Sequence, residues 1–270
     1  MNRIDVCFAE LRRRGGKALI PYITAGDPDG PTTVRLALEF EKRGADLVEL
    51  GVPFSDPLAD GTTIQRASER ALRGGTTLRA VLTWAAEIRQ ASQIPLVLMS
   101  YVNPLLRMGA GAFALAAREA GVDGLIVPDL PPEEAGEFLA ANDAAGLATI
   151  FLAAPTSPPE RLRLIAEASR GYIYYVSLKG VTGARAALPG GVREAVRILR
   201  SLTPKPVAVG FGIGTPEQAA EVAAAADGVI VGSAIVDQVE RLRGRSDLVD
   251  QVGVFVEGFV RALRPAPPVA

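Results

Sequence analysis

The chain has 270 residues, of which 49% are hydrophobic and 22% charged, and its formal net charge is -1. This composition is typical of a globular protein and differs from the polar, highly charged composition of disordered chains. The balance of 29 basic and 30 acidic residues supplies no basic field that would attract nucleic acid or anionic lipid. We therefore expect neither nucleic acid nor a membrane as a partner.

Histidine is absent from the chain, and cysteine occurs once, as Cys7. The absence of histidine excludes Ser-His-Asp and Cys-His triads and HExxH zinc sites. A lone cysteine forms no internal disulfide and lacks the spaced ligands of a metal site, which is typical of a reducing compartment. Acidic residues interrupt any apolar signal run at the N-terminus, and no stretch approaches about 18 uninterrupted apolar residues. We predict a cytoplasmic protein without a metal site.

Short β-rich runs alternate along the chain with longer Ala/Leu/Glu/Arg-rich stretches of helical spacing, after one leading helix. This alternation is typical of a parallel sheet covered by helices. The predicted strands are Ala18 to Thr24, Leu47 to Gly51, Leu96 to Tyr101, Gly124 to Val127, Ala148 to Leu152, Ile173 to Val176, Val207 to Gly210 and Gly228 to Val231. The predicted helices between them are Thr32 to Arg43, Thr77 to Ala91, Ala110 to Ala120, Glu133 to Ala145, Pro159 to Ala168 and Pro216 to Ala225.

Eight such units favour a closed (βα)8 TIM barrel with an extra N-terminal helix over its floor. An open doubly wound sheet is the alternative, but Thr24-Ala25-Gly26-Asp27-Pro28 after the first strand is not a GxGxxG fingerprint. The wide gap between the second and third strands predicts an insertion after strand two. No low-complexity linker divides the chain, so we predict one domain over residues 1–270, with a frayed Pro/Ala tail at 264–270.

The second predicted strand contains a glutamate, Glu49, that points the opposite way from Val48 and Leu50. Sites of such barrels lie at the C-terminal ends of the strands. A carboxylate inside a barrel loses hydration, so that its pKa rises or it needs a partner, and both outcomes are typical of a catalytic acid/base. We predict that Glu49 is catalytic. A buried ion pair with lysine or arginine from another strand is the structural alternative.

The loop after this strand carries two aspartates, Asp56 and Asp60, between prolines. This mixture is typical of a shaped functional loop, because proline stiffens the backbone and carboxylates supply chemistry. One of the two aspartates acting only as a turn cap is the structural alternative.

Small residues follow the last three predicted strands, in Gly180-Val181-Thr182-Gly183, Gly210-Phe211-Gly212-Ile213-Gly214 and Gly232-Ser233-Ala234. Backbone N–H groups and a helix start near Gly232 can bind a phosphate without any lysine, and the last two loops are the usual phosphate site of such barrels. Glycines that only permit tight turns are the structural alternative. The stretch from Lys179 to Gly190 has little to pack and is predicted to be a mobile lid.

The chain resembles the tryptophan synthase α subunit family along essentially its whole length. Its first strand reads Pro21-Tyr22-Ile23-Thr24-Ala25-Gly26-Asp27-Pro28, and strand two with its loop reads Glu49-Leu50-Gly51-Val52-Pro53-Phe54-Ser55-Asp56-Pro57-Leu58-Ala59-Asp60-Gly61. Three further segments are similar to phosphate-binding segments of the family: Val181-Thr182-Gly183, Gly210-Phe211-Gly212-Ile213 and Gly232-Ser233-Ala234-Ile235-Val236.

The resemblance implies a retro-aldol cleavage of indole-3-glycerol phosphate into indole and glyceraldehyde 3-phosphate, without metal or cofactor. It implies that Glu49 does the acid/base work, giving a proton to indole C3 and taking one from the glycerol hydroxyl. Asp60 would accept the indole N–H and stabilise the positive charge that develops on the ring. Tyr174 matches a tyrosine near the catalytic glutamate, with interior packing as its structural alternative.

The resemblance also implies the residues that hold the two ends of the substrate. The phosphate would be bound at Gly183, Gly212, Gly232 and Ser233. The walls of the indole pocket would be Tyr22, Leu98, Tyr101 and Phe211. One departure concerns the neighbouring loop, since the family usually has proline after Asp60-Gly61 and this chain has Thr62. Proline would restrict Gly61, so Thr62 bears on how Asp60 is placed.

A β subunit is the partner that the resemblance implies, in an α2β2 complex where indole passes through a tunnel to pyridoxal phosphate on β. The loop from Pro53 to Asp60 and the segment around Asn103-Pro104 would face β, and the lid would respond to it. Three alternatives remain open: a stand-alone indole-releasing lyase of the same fold, a sugar-phosphate isomerase on a related barrel, and a catalytically silent barrel that acts as an allosteric subunit.

Overall fold

The computed structural model describes residues 2–176, 190–210 and 212–264. The described residues form nine strand segments: β1 Ala18–Thr24, β2 Val48–Gly51, β3 Leu96–Met99, β4 Gly124–Ile126, β5 Ala148–Ile150, β6 Leu152–Ala153, β7 Ile173–Val176, β8 Val207–Gly210 and β9 Gly228–Val231. All pairings are parallel, and the order across the sheet is β5-β4-β3-β2-β1-β9-β8-β7-β6.

The two ends of this sheet meet in one run of chain. Segments β5 and β6 are separated only by Phe151, β5 pairs with β4, and β6 pairs with β7. The fifth predicted strand is therefore divided in two, and its halves close the sheet into a barrel. The predicted (βα)8 barrel is confirmed.

Twelve helices occur in the described residues. They are α1 Arg3–Arg13, α2 Gly30–Lys42, α3 Thr62–Arg73, α4 Leu78–Ala91, α5 Val102–Met108, α6 Ala110–Glu119, α7 Gly136–Ala145, α8 Pro159–Ala168, α9 Gly190–Leu202, α10 Pro216–Ala223, α11 Ser233–Leu242 and α12 Leu248–Leu263. Helix α1 is the predicted extra N-terminal helix, and α3 is the insertion predicted after β2. In the described part of the chain, no helix has both the length and the apolar character that crossing a bilayer requires.

Two apolar layers follow from the alternation of side chains along each strand. Leu19, Val48 and Leu50 lie in the layer between strands and helices. Ala18, Ile20, Leu47 and Val97 lie in a second cluster inside the barrel. Among the nine described strand segments, Glu49 is the one charged residue, and it faces inward.

Helix α1 closes the N-terminal end of the barrel, as the sequence predicts. Ile4, Phe8 and Leu11 are buried in the interior cluster. The side chain of Asn2 accepts a hydrogen bond from the Ile4 N–H and donates to the carbonyl of Asp123 at 2.7 Å. The helix thereby turns the bottom of the barrel into a solid floor, and the opposite end remains for a site.

Candidate active site

Glu49 lies inside the barrel beneath the C-terminal ends of the strands and is fully buried. In strand register it stands between Tyr22 on β1 and Val97 on β3. Burial raises the pKa of Glu49 to about 8, and the hydrogen bond from Tyr172 opposes that rise. The carboxyl group is therefore largely protonated at neutral pH, which is the state that a general acid requires.

The hydroxyl of Tyr172 donates a hydrogen bond of 2.6 Å to Oε1 of Glu49. Oε2 has no hydrogen-bond partner among the described atoms, so it is the oxygen left for a reacting group. The alternative of a buried ion pair finds no support here, because no described lysine or arginine forms a salt bridge with Glu49. The ring of Tyr172 contacts Phe8 of α1, with a centroid distance of 5.6 Å. The floor helix thus supports the tyrosine that orients Glu49.

Asp60 lies at the end of the loop between β2 and α3 and is partly buried. Burial raises its pKa to about 6, while a hydrogen bond from the Tyr101 hydroxyl opposes the rise. The same hydroxyl accepts the N–H of Ala59 at 2.9 Å, and the Tyr101 ring stacks on Phe54 at 5.2 Å. Asp56 is exposed and accepts a hydrogen bond from the neighbouring Ser55. Of the two aspartates, Asp60 is the one held toward the site.

Thr62 is the first residue of α3, and Gly61 before it is extended, with φ -72° and ψ 162°. Proline would impose this same extended conformation on the preceding residue. With threonine at position 62, Gly61 therefore has the same backbone conformation that a proline at this position would require. The side-chain amide of Gln65, one turn into the helix, donates a hydrogen bond of 2.8 Å to the backbone carbonyl of Asp60 and so holds the loop against α3.

Thr62→Pro should raise the free energy of unfolding by about 0.4–1 kcal/mol. The first position of a helix tolerates proline, because its N–H has no partner within the helix. Chemical denaturation measures the change. The matched control, Ala67→Pro inside α3, should lose about 3 kcal/mol or more. A loss of stability in Thr62→Pro would contradict this account of the loop.

A cavity of about 370 Å³ opens at the C-terminal end of the barrel. Its lining residues come from strands β1, β3, β7 and β9 and from the segments that follow β2, β8 and β9: Tyr22, Gly61, Ile64, Met99, Tyr174, Gly212, Ile213, Gly214, Ile230, Gly232, Ser233 and Ala234. None of these is charged. Gly232 caps the start of α11, and Gly212 has a positive φ of 74°, which favours glycine. The structure therefore brings Gly212, Gly232 and Ser233 together at one end of the cavity.

Tyr22 and Tyr174 form the inner wall of the cavity, close to both carboxylates. Burial, then the charges of Asp60 and Glu49, raises the pKa of Tyr22. The pKa of Tyr174 is raised by burial and next by Glu49. A Cβ added to Gly51 would lie 2.0 Å from the Tyr22 hydroxyl, so Gly51 leaves the space that this ring occupies. The tyrosine bonded to Glu49 is nevertheless Tyr172 and not Tyr174.

Leu98 does not line the cavity, which contradicts the prediction that it is a wall of the indole pocket. It lies with Leu96 in the layer between strands and helices, whereas Met99 lines the cavity. The reason is the two-residue alternation of the strand, since a shift of one residue moves a side chain to the other face of the sheet. Tyr101 lies beyond the strand end, against the Asp60 loop. Gly183, Phe211 and most of the predicted lid, Lys179 to Gly190, lie outside the described residues, as do residues 265–270 of the tail.

The sequence prediction missed two residues beside the candidate site, Tyr172, which is hydrogen-bonded to Glu49, and Met99, which lines the cavity. Strand parity is the signal that would have found Met99, because it shares a face with Val97. Tyr172 has the parity of Tyr174 but precedes β7, and only the closed barrel shows that its hydroxyl reaches across to β2. A larger cavity of about 510 Å³ lies at the opposite end, beside α1, away from both carboxylates. Within the described ranges, no group of three or more histidine, cysteine or acidic residues is placed to hold a metal ion.

Comparisons with known proteins identify the family of the chain. The family model described as tryptophan synthase alpha chain matches residues 8–264. The tryptophan synthase alpha chain of Geobacter sp. (strain M21) is 53% identical over 264 residues, which cover 98% of this chain and 97% of the relative. That of Azoarcus sp. (strain BH72) is 52% identical over 270 residues, which cover 100% and 99% of the two chains.

Solved structures show the same similarity in three dimensions. The tryptophan synthase subunit alpha from Legionella pneumophila str. Paris superimposes with a TM-score of 0.88 at 41% identity, covering 97% of this chain and 98% of that one. A chain of Mycobacterium tuberculosis tryptophan synthase superimposes with a TM-score of 0.89 at 41% identity, covering 98% and 99%. The barrel fold and these matches show that the chain belongs to the tryptophan synthase alpha chain family.

Proposed function

We propose that the cavity binds indole-3-glycerol phosphate with its phosphate at the start of α11 and its indole ring between Glu49 and Asp60. Membership of the family makes the chain a lyase that cleaves this substrate into indole and glyceraldehyde 3-phosphate. The observation that carries the proposal is the fully buried Glu49, with its raised pKa, beside a cavity whose other end is a helix N-terminus.

The phosphate end of the cavity relies on backbone dipoles. Gly232, Ser233 and Ala234 line the cavity where α11 begins. The first N–H groups of a helix have no partner inside the helix and carry a partial positive charge, so they favour an anion. Because the described lining includes no lysine or arginine, binding at this end depends on the placement of the helix itself.

The reaction requires two proton movements that balance. Glu49 gives its proton to indole C3, which makes the ring a leaving group, and the resulting carboxylate takes the proton of the glycerol hydroxyl next to the breaking bond. That C–C bond then breaks, its electron pair returns to the indole ring, and the carbon that carried the hydroxyl becomes the aldehyde. Glu49 finishes protonated, as it started.

Asp60 supports this step from the side of the ring nitrogen. Protonation at C3 places positive charge on the nitrogen, and an ionised Asp60 accepting its N–H stabilises that charge in a partly buried site. Tyr22, Tyr174 and Met99 line the cavity and would contact the ring. For Tyr174 we propose contact with the substrate, while Tyr172 holds Glu49.

The pH dependence of kcat/KM should be bell-shaped, with limbs near 6 and 8. Activity falls below about 6 because Asp60 becomes protonated, and it falls above about 8 because Glu49 loses its proton. Tyr172→Phe removes the hydrogen bond that lowers the pKa of Glu49, so its alkaline limb should move to higher pH. Initial rates from pH 5 to 10 measure both profiles. An unmoved alkaline limb in Tyr172→Phe would contradict the assignment of that limb to Glu49.

The family implies a β subunit partner, and we propose the α2β2 complex in which indole passes to β. Pyridoxal phosphate belongs to β in this family and does its chemistry there. The loop from Pro53 to Asp60 and the segment around Asn103-Pro104 would face β. Leu58 in this loop is 96% exposed and Leu106 on α5 is 55% exposed, so both are apolar side chains free to be covered. A cytoplasmic location and a single domain over 1–270 stay predictions.

Indole release from indole-3-glycerol phosphate by the purified chain, with and without an added β subunit, tests the proposal. We expect measurable turnover alone and a higher rate with β, because closure around β would exclude water and order the site. Turnover that does not change with β would favour the stand-alone lyase. If no turnover occurs under either condition and the chain still activates β, the result would favour a catalytically silent barrel that acts as an allosteric subunit.

A further inference from the structure

We propose that Arg70 is a positioning residue for this reaction, although it touches neither carboxylate of the site. Its guanidinium ties helix α3, which begins beside Asp60, to helix α11, which begins at the phosphate end of the cavity. The inference rests on the proposed function, since it assigns a residue that sets the distance between the two ends of the substrate site.

The geometry of Arg70 is that of a three-way clamp. Nε and Nη2 donate to the two carboxylate oxygens of Asp27 at 2.9 and 2.7 Å, and Nη1 lies 2.8 Å from Glu240. The Asp27 side chain is 2% exposed and that of Arg70 is 13% exposed. Arg66, one turn earlier on α3, also pairs with Glu240, at 2.9 Å. Planar two-point bonding of this kind fixes orientation as well as distance.

Each partner of Arg70 belongs to an element that carries part of the site. Asp27 follows β1, the strand of Tyr22, in a turn where the Gly26 N–H donates to Thr33 Oγ1 at 2.9 Å. Glu240 lies on α11, seven residues after Ser233, which is about 10 Å along a helix. Arg70 lies five residues after Gln65, whose amide holds the carbonyl of Asp60. The clamp therefore fixes the far ends of two helices whose near ends hold the site.

The near ends of the two helices meet in a small apolar cluster of Tyr22, Ile64, Ala67 and Val236. Such a contact is non-directional, so it permits sliding and tilting that a bidentate ion pair resists. Burying the Asp27 carboxylate also has a desolvation cost, which a well-packed apolar pair would avoid. Stability alone therefore does not account for the clamp, whereas the fixed geometry of the two helix starts does.

Arg43 provides a matched control from the same chain. It pairs with Glu39 at 2.6 Å, Asp250 at 2.6 Å and Glu257 at 2.9 Å, and its side chain is 20% exposed. This network joins α2 to α12, and none of its members lines the cavity. Loss of either arginine removes a multi-carboxylate network, but only the Arg70 network connects Asp60 with the phosphate end.

The experiment compares Arg70→Met, Arg70→Lys and Arg43→Met in the complex with β, by steady-state indole release and by titration with glycerol 3-phosphate. We expect Arg70→Met to raise KM and the Kd for glycerol 3-phosphate about tenfold and to lower kcat/KM about 100-fold, since a displacement near 1 Å can have that effect. Arg70→Lys keeps the positive charge but lacks the planar guanidinium, so its constants should lie between those of the wild type and Arg70→Met. Arg43→Met should stay within about twofold of the wild type in all three constants.

Thermal unfolding of each variant separates positioning from stability. If Arg70→Met and Arg43→Met lose comparable stability and their kinetic constants agree within about twofold, the proposal is overturned. If Arg70→Met does not fold, Glu240→Gln, which releases only α11, should raise the Kd for glycerol 3-phosphate, and an unchanged Kd overturns the proposal. Absence of turnover in the wild type would refute the proposed function, while the glycerol 3-phosphate titration would still decide the role of Arg70.

Discussion

Glu49→Gln should lower indole release by roughly 10²–10⁴-fold, the range typical of a lost general acid/base. Glutamine has nearly the shape of the protonated glutamic acid and can still accept the hydrogen bond that Tyr172 donates to Oε1. It has no proton of suitable acidity for indole C3 and cannot take one from the glycerol hydroxyl. The measurement is the initial rate of indole release at saturating substrate, with and without β. A variant that retains more than about a tenth of the wild-type rate would contradict the assigned role.

The same variant should be more stable than the wild type at alkaline pH, which controls for misfolding. Because burial raises the pKa of Glu49 from 4.5 to about 8, the unfolded chain releases this proton at lower pH than the folded one. The wild type therefore loses stability as the pH rises from about 4.5 to 8, and the loss is complete above 8. Glutamine does not titrate, so Glu49→Gln should gain on the order of a few kcal/mol at pH 9 and little at pH 5. Denaturant unfolding at the two pH values measures the difference.

Asp60→Asn should lower kcat by about 10²–10³-fold, because asparagine can accept the indole N–H but cannot offset the positive charge on the ring. It should also remove the limb near pH 6 from the pH profile, since burial raises the pKa of Asp60 to about that value and asparagine has no proton to gain. Rates measured from pH 5 to 8 on both proteins test the two expectations together.

Asp56→Asn in the isolated chain is the matched control for this loop. Asp56 is exposed, and the hydrogen bond to its carboxylate comes from the neighbouring Ser55, so replacing this side chain should change the rate by less than about twofold. Equal losses in Asp56→Asn and Asp60→Asn would show that general disturbance of the loop, and not the charge of Asp60, limits the rate.

Most of the architecture could be predicted because each signal is local. The alternation of β-rich runs with helical stretches reports what each segment buries, and closure into a barrel follows from eight such units. Glu49 could be identified for the same reason, since a charged residue within an apolar strand is predicted to lie buried in the barrel. Asp60 needed the resemblance to the family to separate it from Asp56, and the structure then showed which of the two is exposed.

Details that depend on which atoms meet across the barrel could not be predicted. The division of the fifth strand at Phe151 depends on pairing with β4 on one side and β7 on the other. Strand register decides that Met99, and not Leu98, lines the cavity. The hydrogen bond from Tyr172 to Glu49 joins residues that are 123 positions apart in the chain. The effect of Thr62 also became clear only from the observed backbone of Gly61.

The sequence by itself determined the barrel, the family and the two carboxylates, because hydrophobic periodicity and short motifs are written in consecutive residues. Tertiary structure alone decided the pKa of Glu49, its tyrosine partner, the residues that line the cavity and the clamp at Arg70. Burial, hydrogen bonds and electrostatic coupling depend on distances between segments far apart in the chain, and those distances exist only once the sheet has closed.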